Sequence, residues 1–135
     1  MADFIHHIDL TVTDPAKSAP VYDVFLRHAG FEPKSSGEGW AAWGLAGKRY
    51  PSIAILEGAG ENKFRRHDRY SPGLHHFALR AKSRADVDEL HQKLIAVGAF
   101  ILDAPADYPD YGAGYYAVFF ADADGLKLEY AYSEV

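Results

Sequence analysis

Apolar and polar residues alternate near the start of the chain, in the stretch FIHHIDLTV at 4–12, where Ile8, Leu10 and Val12 alternate with His7, Asp9 and Thr11. A period of two residues is typical of a β-strand with one buried face. Since a following helix would cover the apolar face, we expect His7 and Asp9 to point away from that helix. The same alternation returns in the stretch LHHFALRA at 74–81, where His76 and Arg80 share the polar face.

A helical pattern follows each of these two strands. The first helix is predicted to begin at Asp14-Pro15, an N-cap residue followed by proline, and to end at Gly30. Pro20 lies inside its apolar pattern, so we expect the helix to begin late or to bend there. The second helix is predicted to begin after Ser83 and to end at Gly98.

Strand-like segments continue after each helix. They lie at 31–34, 39–45 and 52–56 in the first half of the chain, and at 100–103, 115–121 and 126–132 in the second half. The order strand–helix–strand–strand–strand is therefore written twice, with His6-His7 and His75-His76 at an offset of 69 residues. Leu56-Glu57 and Leu128-Glu129 close the two copies at an offset of 72 residues, and we expect them to be equivalent.

The composition narrows the classes of function. The 135 residues include 14 basic and 19 acidic side chains, a net charge of −5, which disfavours binding to nucleic acid or to an anionic membrane. The chain has no cysteine, so disulfides and thiolate metal sites are excluded. No apolar run approaches the ~18 residues of a membrane span, and no signal-peptide pattern is visible. We therefore expect a cytoplasmic protein.

Histidine and glutamate side chains fall at matching places in the two copies. His7 and His76 lie on the helix-free faces of the first strands, and Glu129 lies on that face of the last strand. Imidazole together with carboxylate suits Fe²⁺, Mn²⁺, Ni²⁺, Co²⁺ or Zn²⁺. A single strand histidine is more commonly a core or surface residue, but the matched positions favour a metal site that holds a substrate by its oxygens.

These segments resemble the vicinal oxygen chelate superfamily, which includes glyoxalase I, extradiol dioxygenases, fosfomycin-resistance enzymes and bleomycin-resistance proteins. The resemblance rests on HHIDLTVTD at 6–14, GLHHFALRAKS at 73–83 and FADADGLKLEY at 120–130. Together with the repeat, it implies an α+β fold of two βαβββ repeats. Their mixed sheets are expected to form an open, cavity-enclosing β-barrel with the helices outside.

We expect the chain to be one domain over residues 1–135. The first module is predicted at about 1–58 and the second at 74–135, with a connecting loop at 59–73.

The resemblance also implies a ligand set for one divalent ion per site, of Ni, Fe, Mn, Co or Zn. Family members take ligands from the first strand of each repeat and from the last strand of a repeat, which indicates His7, His76 and Glu129. Glyoxalase I-like members use a fourth ligand where Glu57 stands, and Glu57 and Glu129 would then be the catalytic carboxylates. A solvated glutamate at a strand end is the alternative for Glu57, because glycines follow it.

Other residues are candidates for the surroundings of the ion. Arg80 shares a face with His76 and would neutralise an anionic substrate, with an ion pair to an acid of the protein as the alternative. By strand alternation, His6 and His75 should point to the helix side. Aromatic side chains would line the pocket, although a plain core position is the alternative for them. The predicted substrate-binding residues are Arg80, Trp43, Tyr111, Tyr116 and Phe119.

The resemblance implies a metal-dependent, glyoxalase-like lyase or isomerase that binds a small oxygenated substrate by bidentate chelation, while a free carboxylate moves a proton. An extradiol-type Fe²⁺ dioxygenase is one alternative, but that class has a tyrosine shortly before the glutamate, where this chain has Phe119 and Phe120. A non-catalytic binding protein of bleomycin-resistance type is the other alternative. The substrate and any involvement of glutathione stay open. We also expect a homodimer, which is common in the family.

Overall fold

The computed structural model describes residues 4–134. The chain divides into two compact units, with the boundary between Arg65 and Arg66, inside the expected connecting loop. Each unit contains one α-helix and one four-stranded mixed sheet, in the order strand, helix, strand, strand, strand. The predicted α+β class and the two βαβββ repeats are therefore confirmed.

The N-terminal unit is built on a sheet with strand order β1-β4-β3-β2. Strand β1 is parallel to β4, and the other neighbouring pairs are antiparallel. Its elements are β1 (His7–Val12), α1 (Pro15–His28), β2 (Phe31–Gly37), β3 (Trp40–Leu45) and β4 (Ser52–Glu57).

The C-terminal unit repeats this topology, with strand order β5-β8-β7-β6 and β5 parallel to β8. The remaining pairs are antiparallel, and β6 carries two register shifts against β7. Its elements are β5 (His76–Arg80), α2 (Arg84–Val97), β6 (Phe100–Asp107), β7 (Tyr116–Ala121) and β8 (Lys127–Tyr132).

The first helix begins at the predicted cap. Asp14 accepts a hydrogen bond from the backbone N–H of Ala16 at 3.0 Å, and Pro15 occupies the first turn, where no N–H donor is needed. α1 continues through Pro20 to His28. The expectation of a late start is therefore wrong, because the cap fixes the first turn ahead of the internal proline.

The second helix also has the predicted ends. The hydroxyl of Ser83 accepts a hydrogen bond from the backbone N–H of Asp86 at 3.0 Å. Gly98 ends the helix with a φ of 81°, a left-handed conformation that glycine adopts without steric cost. Each α-helix has 14 residues, and within residues 4–134 none has the length and apolar character that crossing a membrane requires.

Each helix covers one face of its own sheet. α1 packs on β2, β3 and β4, and α2 packs on β6, β7 and β8. On β1, Leu10 and Val12 are buried, whereas His7 and Asp9 are exposed. The predicted alternation is therefore present, and each sheet presents its second face without a helix of the same unit.

Candidate functional site

A buried carboxylate lies at the centre of the helix-free face of the C-terminal sheet. Glu129 on β8 is only 3 % exposed. Its Oε1 lies 3.0 Å from Nε2 of His76, and its Oε2 accepts a hydrogen bond from the hydroxyl of Tyr115. A buried carboxylate is costly without such partners, so these two contacts explain how the group is kept inside the protein.

Parallel pairing of β5 and β8 brings His76 and Glu129 together. Glu129 pairs with Ala78, two positions after His76, so the two side chains share one face as the alternation predicted. Arg80 lies on this face as well and is exposed.

The His76–Glu129 pair fits half of a metal site. Imidazole nitrogen and carboxylate oxygen are both ligands of first-row divalent ions, at about 2.1 Å. Two such ligands at right angles around one ion are about 3.0 Å apart, which is the Nε2–Oε1 distance observed here. An ion could therefore take the place of the shared proton without a large movement of either side chain.

Tyr115 is not among the predicted substrate-binding residues, yet its hydroxyl contacts Glu129. Burial and its hydrogen bond to Glu129 raise the pKa of the Tyr115 hydroxyl well above its usual value, so the hydroxyl remains a donor. Tyr115 is two and four residues from Ala117 and Phe119, which the β7 alternation places on the Glu129 face. Extending the alternation of β7 by two residues toward the N-terminus, from Ala117 to Tyr115, would have identified this contact.

An aromatic wall stands beside the buried carboxylate. The ring of Phe119, which pairs with Glu129 in the sheet, lies 6.3 Å from the ring of His76 and 5.3 Å from that of Tyr108. Tyr108 stacks on Tyr111 with ring centroids 5.4 Å apart, and Tyr111 is exposed. The structure thus brings Phe119 and Tyr111 to the neighbourhood of His76 and Glu129.

A cation completes this wall. Nζ of Lys127 lies 4.5 Å from the ring centroid of Phe119. Lys127 pairs with His76 across β5 and β8 and therefore lies on the same face. With Arg80, this gives two cationic side chains on the helix-free face of the C-terminal sheet.

Tyr116 lies on the other face, which corrects its expected place beside the substrate. Its hydroxyl donates to Oδ1 of Asp88 on α2 at 2.6 Å, and the guanidinium of Arg84 lies 4.1 Å from its ring centroid. Strand alternation is the reason, since Tyr116 and Phe119 are an odd number of residues apart on β7.

Trp43 also faces the helix and is a core residue rather than a pocket residue. It is 3 % exposed, and its indole N–H donates to Oδ1 of Asp23 on α1 at 2.9 Å. Its partner on β4 is Ile53, a buried residue of the helix-covered face. The predicted substrate contact is thus corrected by the register of β3.

Strand register shows which residues of the two units are equivalent. Glu129 pairs with the residue two positions after His76. In the N-terminal unit, the residue two positions after His7 is Asp9, and it pairs with Ala54. The equivalence expected between Glu57 and Glu129 is therefore wrong, because a local Leu-Glu match does not fix which strand residues pair.

Glu57 does not share the face of His7. It pairs with Val12, a buried residue of the helix-covered face, at the end of β4. Its Oε1 accepts a hydrogen bond from Nζ of Lys63 at 3.2 Å, and its side chain is 46 % exposed. The alternative of a solvated glutamate at a strand end describes this position.

His6 and His75, the outer histidines, lie beside His7 and His76, the inner histidines. Nδ1 of His6 is 2.8 Å from Nδ1 of His7, and Nδ1 of His75 is 2.8 Å from Nδ1 of His76. The expected turn toward the helix side is corrected here, because β1 and β5 begin only at the inner histidine. Burial and the neighbouring His76 lower the pKa of His75, which favours its neutral form.

Comparison with known proteins agrees with this architecture. A family model described as the Glyoxalase/Bleomycin resistance protein/Dioxygenase superfamily matches residues 4–130. The uncharacterized protein YqjT of Bacillus subtilis is 31% identical over 126 residues, which are 93% of this chain and 95% of YqjT.

Two solved structures are similar over nearly their whole length. A crystal structure of a candidate glyoxalase from Bacillus halodurans is 28% identical, with a TM-score of 0.79 over 96% of this chain and 95% of that one. A glyoxylase/bleomycin resistance protein/dioxygenase domain from Frankia sp. is 26% identical, with a TM-score of 0.72 over 95% of each chain.

Proposed function

Because the chain belongs to the glyoxalase/bleomycin resistance protein/dioxygenase superfamily, we propose that it is a divalent-metal-dependent enzyme of glyoxalase type that acts on a small oxygenated substrate. The observation that carries the proposal is the buried carboxylate of Glu129, which touches Nε2 of His76 on a helix-free sheet face. A surface that only had to bind an apolar molecule would gain nothing from a desolvated carboxylate.

We propose His76 and Glu129 as metal ligands on the C-terminal sheet, and His7 as the corresponding ligand on the N-terminal sheet. His7 lies at the position of β1 that corresponds to His76 on β5, and its side chain is exposed. The ion would be one of Ni, Fe, Mn, Co or Zn. When bound, such an ion supplies Lewis-acid polarisation of two neighbouring substrate oxygens.

Tyr115 prepares the carboxylate for this role. Its hydroxyl donates to Oε2 of Glu129, which fixes the carboxylate plane and leaves Oε1 directed at His76. The raised pKa of Tyr115 keeps the proton on the hydroxyl, so the carboxylate stays an acceptor.

The surroundings support a substrate with an apolar part and a negative charge. Phe119 pairs with Glu129 and its ring contacts that of Tyr108, which provides apolar surface, while Arg80 and Lys127 supply positive charge on the same sheet face. Burial raises the pKa of Tyr108, so this wall stays uncharged near neutral pH.

A lyase or isomerase also needs a carboxylate that moves a proton. Glu57 does not share the face of His7, whereas Asp9 on β1 does. We assign the proton-moving role to Asp9, whose carboxylate is exposed two residues from His7 on that face.

A dioxygenase is the second candidate, and a specific contact favours it. The sequence expectation counted against this class because Phe119 and Phe120 stand where a tyrosine was expected. Tyr115 nevertheless donates to Glu129. With Glu57 on the other face of its sheet, Glu129 is the one glutamate among the proposed ligands, and fewer protein ligands leave open positions for O₂.

The test begins with metal content. Protein expressed in metal-replete medium should contain about one divalent ion per chain, and His76→Ala and Glu129→Gln should lose it. His91→Ala, on α2, is the matched histidine control and should keep the ion. If the wild-type protein neither contains nor binds Ni²⁺, Mn²⁺, Fe²⁺ or Zn²⁺, the metal-dependent enzyme is contradicted and a non-catalytic binding protein is favoured.

The reaction class is tested on the loaded protein. Consumption of O₂ that depends on an added catechol would favour the dioxygenase. Conversion of an α-hydroxy carbonyl substrate without O₂ consumption, lost in Asp9→Asn, would favour the lyase or isomerase.

A further inference from the structure

Each inner histidine is paired with a histidine at its Nδ1. The two Nδ1–Nδ1 distances are both 2.8 Å. The rings of His6 and His7 are 5.1 Å apart at 76°, and those of His75 and His76 are 5.0 Å apart at 71°. The same local geometry is thus built twice, at equivalent positions of two separate units.

The outer histidine of each pair contacts a tyrosine from a loop, which is Tyr50 just before β4 in the N-terminal unit and Tyr70 before β5 in the C-terminal unit. His6 stacks on Tyr50 with ring centroids 4.0 Å apart, and His75 meets Tyr70 edge-on at 5.8 Å. In both units, therefore, a tyrosine contacts the outer histidine, and the outer histidine contacts the inner histidine. Such support restricts the orientation of the outer ring and hence of its Nδ1.

Hydrogen-bond chemistry ties the two rings of a pair together. A neutral imidazole carries its proton on one nitrogen, so across each 2.8 Å contact one Nδ1 donates and the other accepts. At His76, Nε2 faces the carboxylate of Glu129 at 3.0 Å. In the metal-free protein this Nε2 carries the proton and donates it, and Nδ1 of His76 accepts from Nδ1–H of His75.

Metal binding requires the opposite tautomer. Nε2 of His76 must then present its lone pair, so the proton has to lie on Nδ1. His75 can accept from it, because the imidazole of His75 then carries its own proton on Nε2. In this exchange one proton crosses from Nδ1 of His75 to Nδ1 of His76. Nε2 of His76 releases one proton to solvent and Nε2 of His75 takes one up, so the charge of the pair is unchanged.

We infer that His6 and His75 are positioning residues that fix the ring orientation and the tautomer of His7 and His76 for metal binding, an inference that rests on the proposed function. Histidines that bind metals almost always donate their second N–H to a carboxylate, a carbonyl or water. Here the acceptor is a second imidazole, which can also serve as the donor before the ion arrives.

Two variants of His75 test the role. His75→Phe keeps a ring beside Tyr70 but removes the acceptor, and it should weaken Zn²⁺ binding by about 10- to 100-fold in calorimetry. His75→Asn supplies an amide oxygen close to the former Nδ1 and should recover most of that affinity. Equal Zn²⁺ affinity for wild type and His75→Phe, with equal thermal stability, would overturn the inference.

Nitrogen NMR separates this inference from the proposed function. In the metal-free protein, the ¹⁵N signals should show the proton of His75 on Nδ1 and that of His76 on Nε2. Zn²⁺ should exchange both tautomers. If wild type binds no metal, the proposed function fails while the metal-free tautomers still report on the pair. The opposite tautomers, or none fixed, would refute the pairing itself.

Discussion

Glu57 and His7 lie on opposite faces of the N-terminal sheet, because Glu57 pairs with Val12 and His7 pairs with Ser52. The place equivalent to Glu129 is taken by Ala54, which has no ligand atom in its side chain. The N-terminal sheet therefore offers His7 but no glutamate at the place that corresponds to Glu129.

Glu57→Gln should leave the metal affinity within about twofold of wild type, as its carboxylate faces away from His7. The substitution removes only a partly exposed ion pair with Lys63, which contributes about 0–1 kcal/mol to stability. Isothermal calorimetry with Ni²⁺ and Zn²⁺ measures the affinity, with Glu129→Gln as the positive control. A large loss of affinity in Glu57→Gln would restore the four-ligand site.

Tyr115→Phe should reduce both stability and metal affinity. The substitution removes the donor to Oε2 of the buried Glu129, and an unpaired buried acceptor costs about 1–3 kcal/mol. Urea unfolding of the metal-free protein measures the first effect and calorimetry the second. Tyr111→Phe is the control, since Tyr111 is exposed and should lose neither. If Tyr115→Phe has the stability and metal affinity of wild type, the hydrogen bond from Tyr115 to Glu129 contributes to neither.

Local signals in the sequence were sufficient for the helices. Asp14 and Ser83 are N-caps whose side chains accept backbone hydrogen bonds, and Gly98 has the left-handed conformation that ends a helix. These interactions span four residues or fewer, so a single sequence contains all the information they need.

Pairing register was not available from local signals. The parallel pairing of β1 with β4 joins residues 45 positions apart, and it decides that Ala54 rather than Glu57 corresponds to Glu129. The face of Trp43 depends on the same kind of non-local pairing, through its partner Ile53 on β4. Tyr116 is different, because its odd spacing from Phe119 on β7 already places the two side chains on opposite faces. A shift of one residue moves every side chain of a strand to the other side.

Trp43→Phe should lower stability without changing metal affinity. The buried indole donates its N–H to Asp23 on α1, so its loss costs roughly 1–2 kcal/mol. Trp40→Phe is the matched control, because Trp40 is 39% exposed and pairs with Leu56 on the other face of β3. Equal stability of the two variants in urea unfolding would contradict the core assignment of Trp43.

We expect the protein to be a homodimer in solution. Large aromatic side chains are exposed, among them Phe64 at 76%, Tyr70 at 78% and Phe100 at 68%. Aromatic side chains are enriched in surfaces that contact a partner. Light scattering at micromolar concentration should give twice the mass of one chain. A monomer mass under these conditions contradicts the expectation.

The free energy of unfolding should depend on pH in the alkaline range because the phenol of Tyr130 is buried. Tyr130 is 1% exposed, and its hydroxyl donates to Oδ2 of Asp86 at 2.8 Å. Burial, and then the hydrogen bond with Asp86, raise the pKa of the Tyr130 hydroxyl far above the ordinary value of about 10. The unfolded chain therefore releases this proton first as the pH rises.

The free energy of unfolding should consequently be constant with respect to this group below about pH 10 and should fall above it, since ionisation stabilises only the unfolded state there. Urea unfolding at a series of alkaline pH values measures the slope. Tyr130→Phe has no phenol proton to lose at this position, so its free energy of unfolding should fall less steeply with pH. Some alkaline dependence should remain, because the pKa of Tyr115 is also raised. Tyr132→Phe, on the same strand, is the control. The same alkaline slope in Tyr130→Phe and wild type would mean that the Tyr130 hydroxyl is not held protonated by the fold.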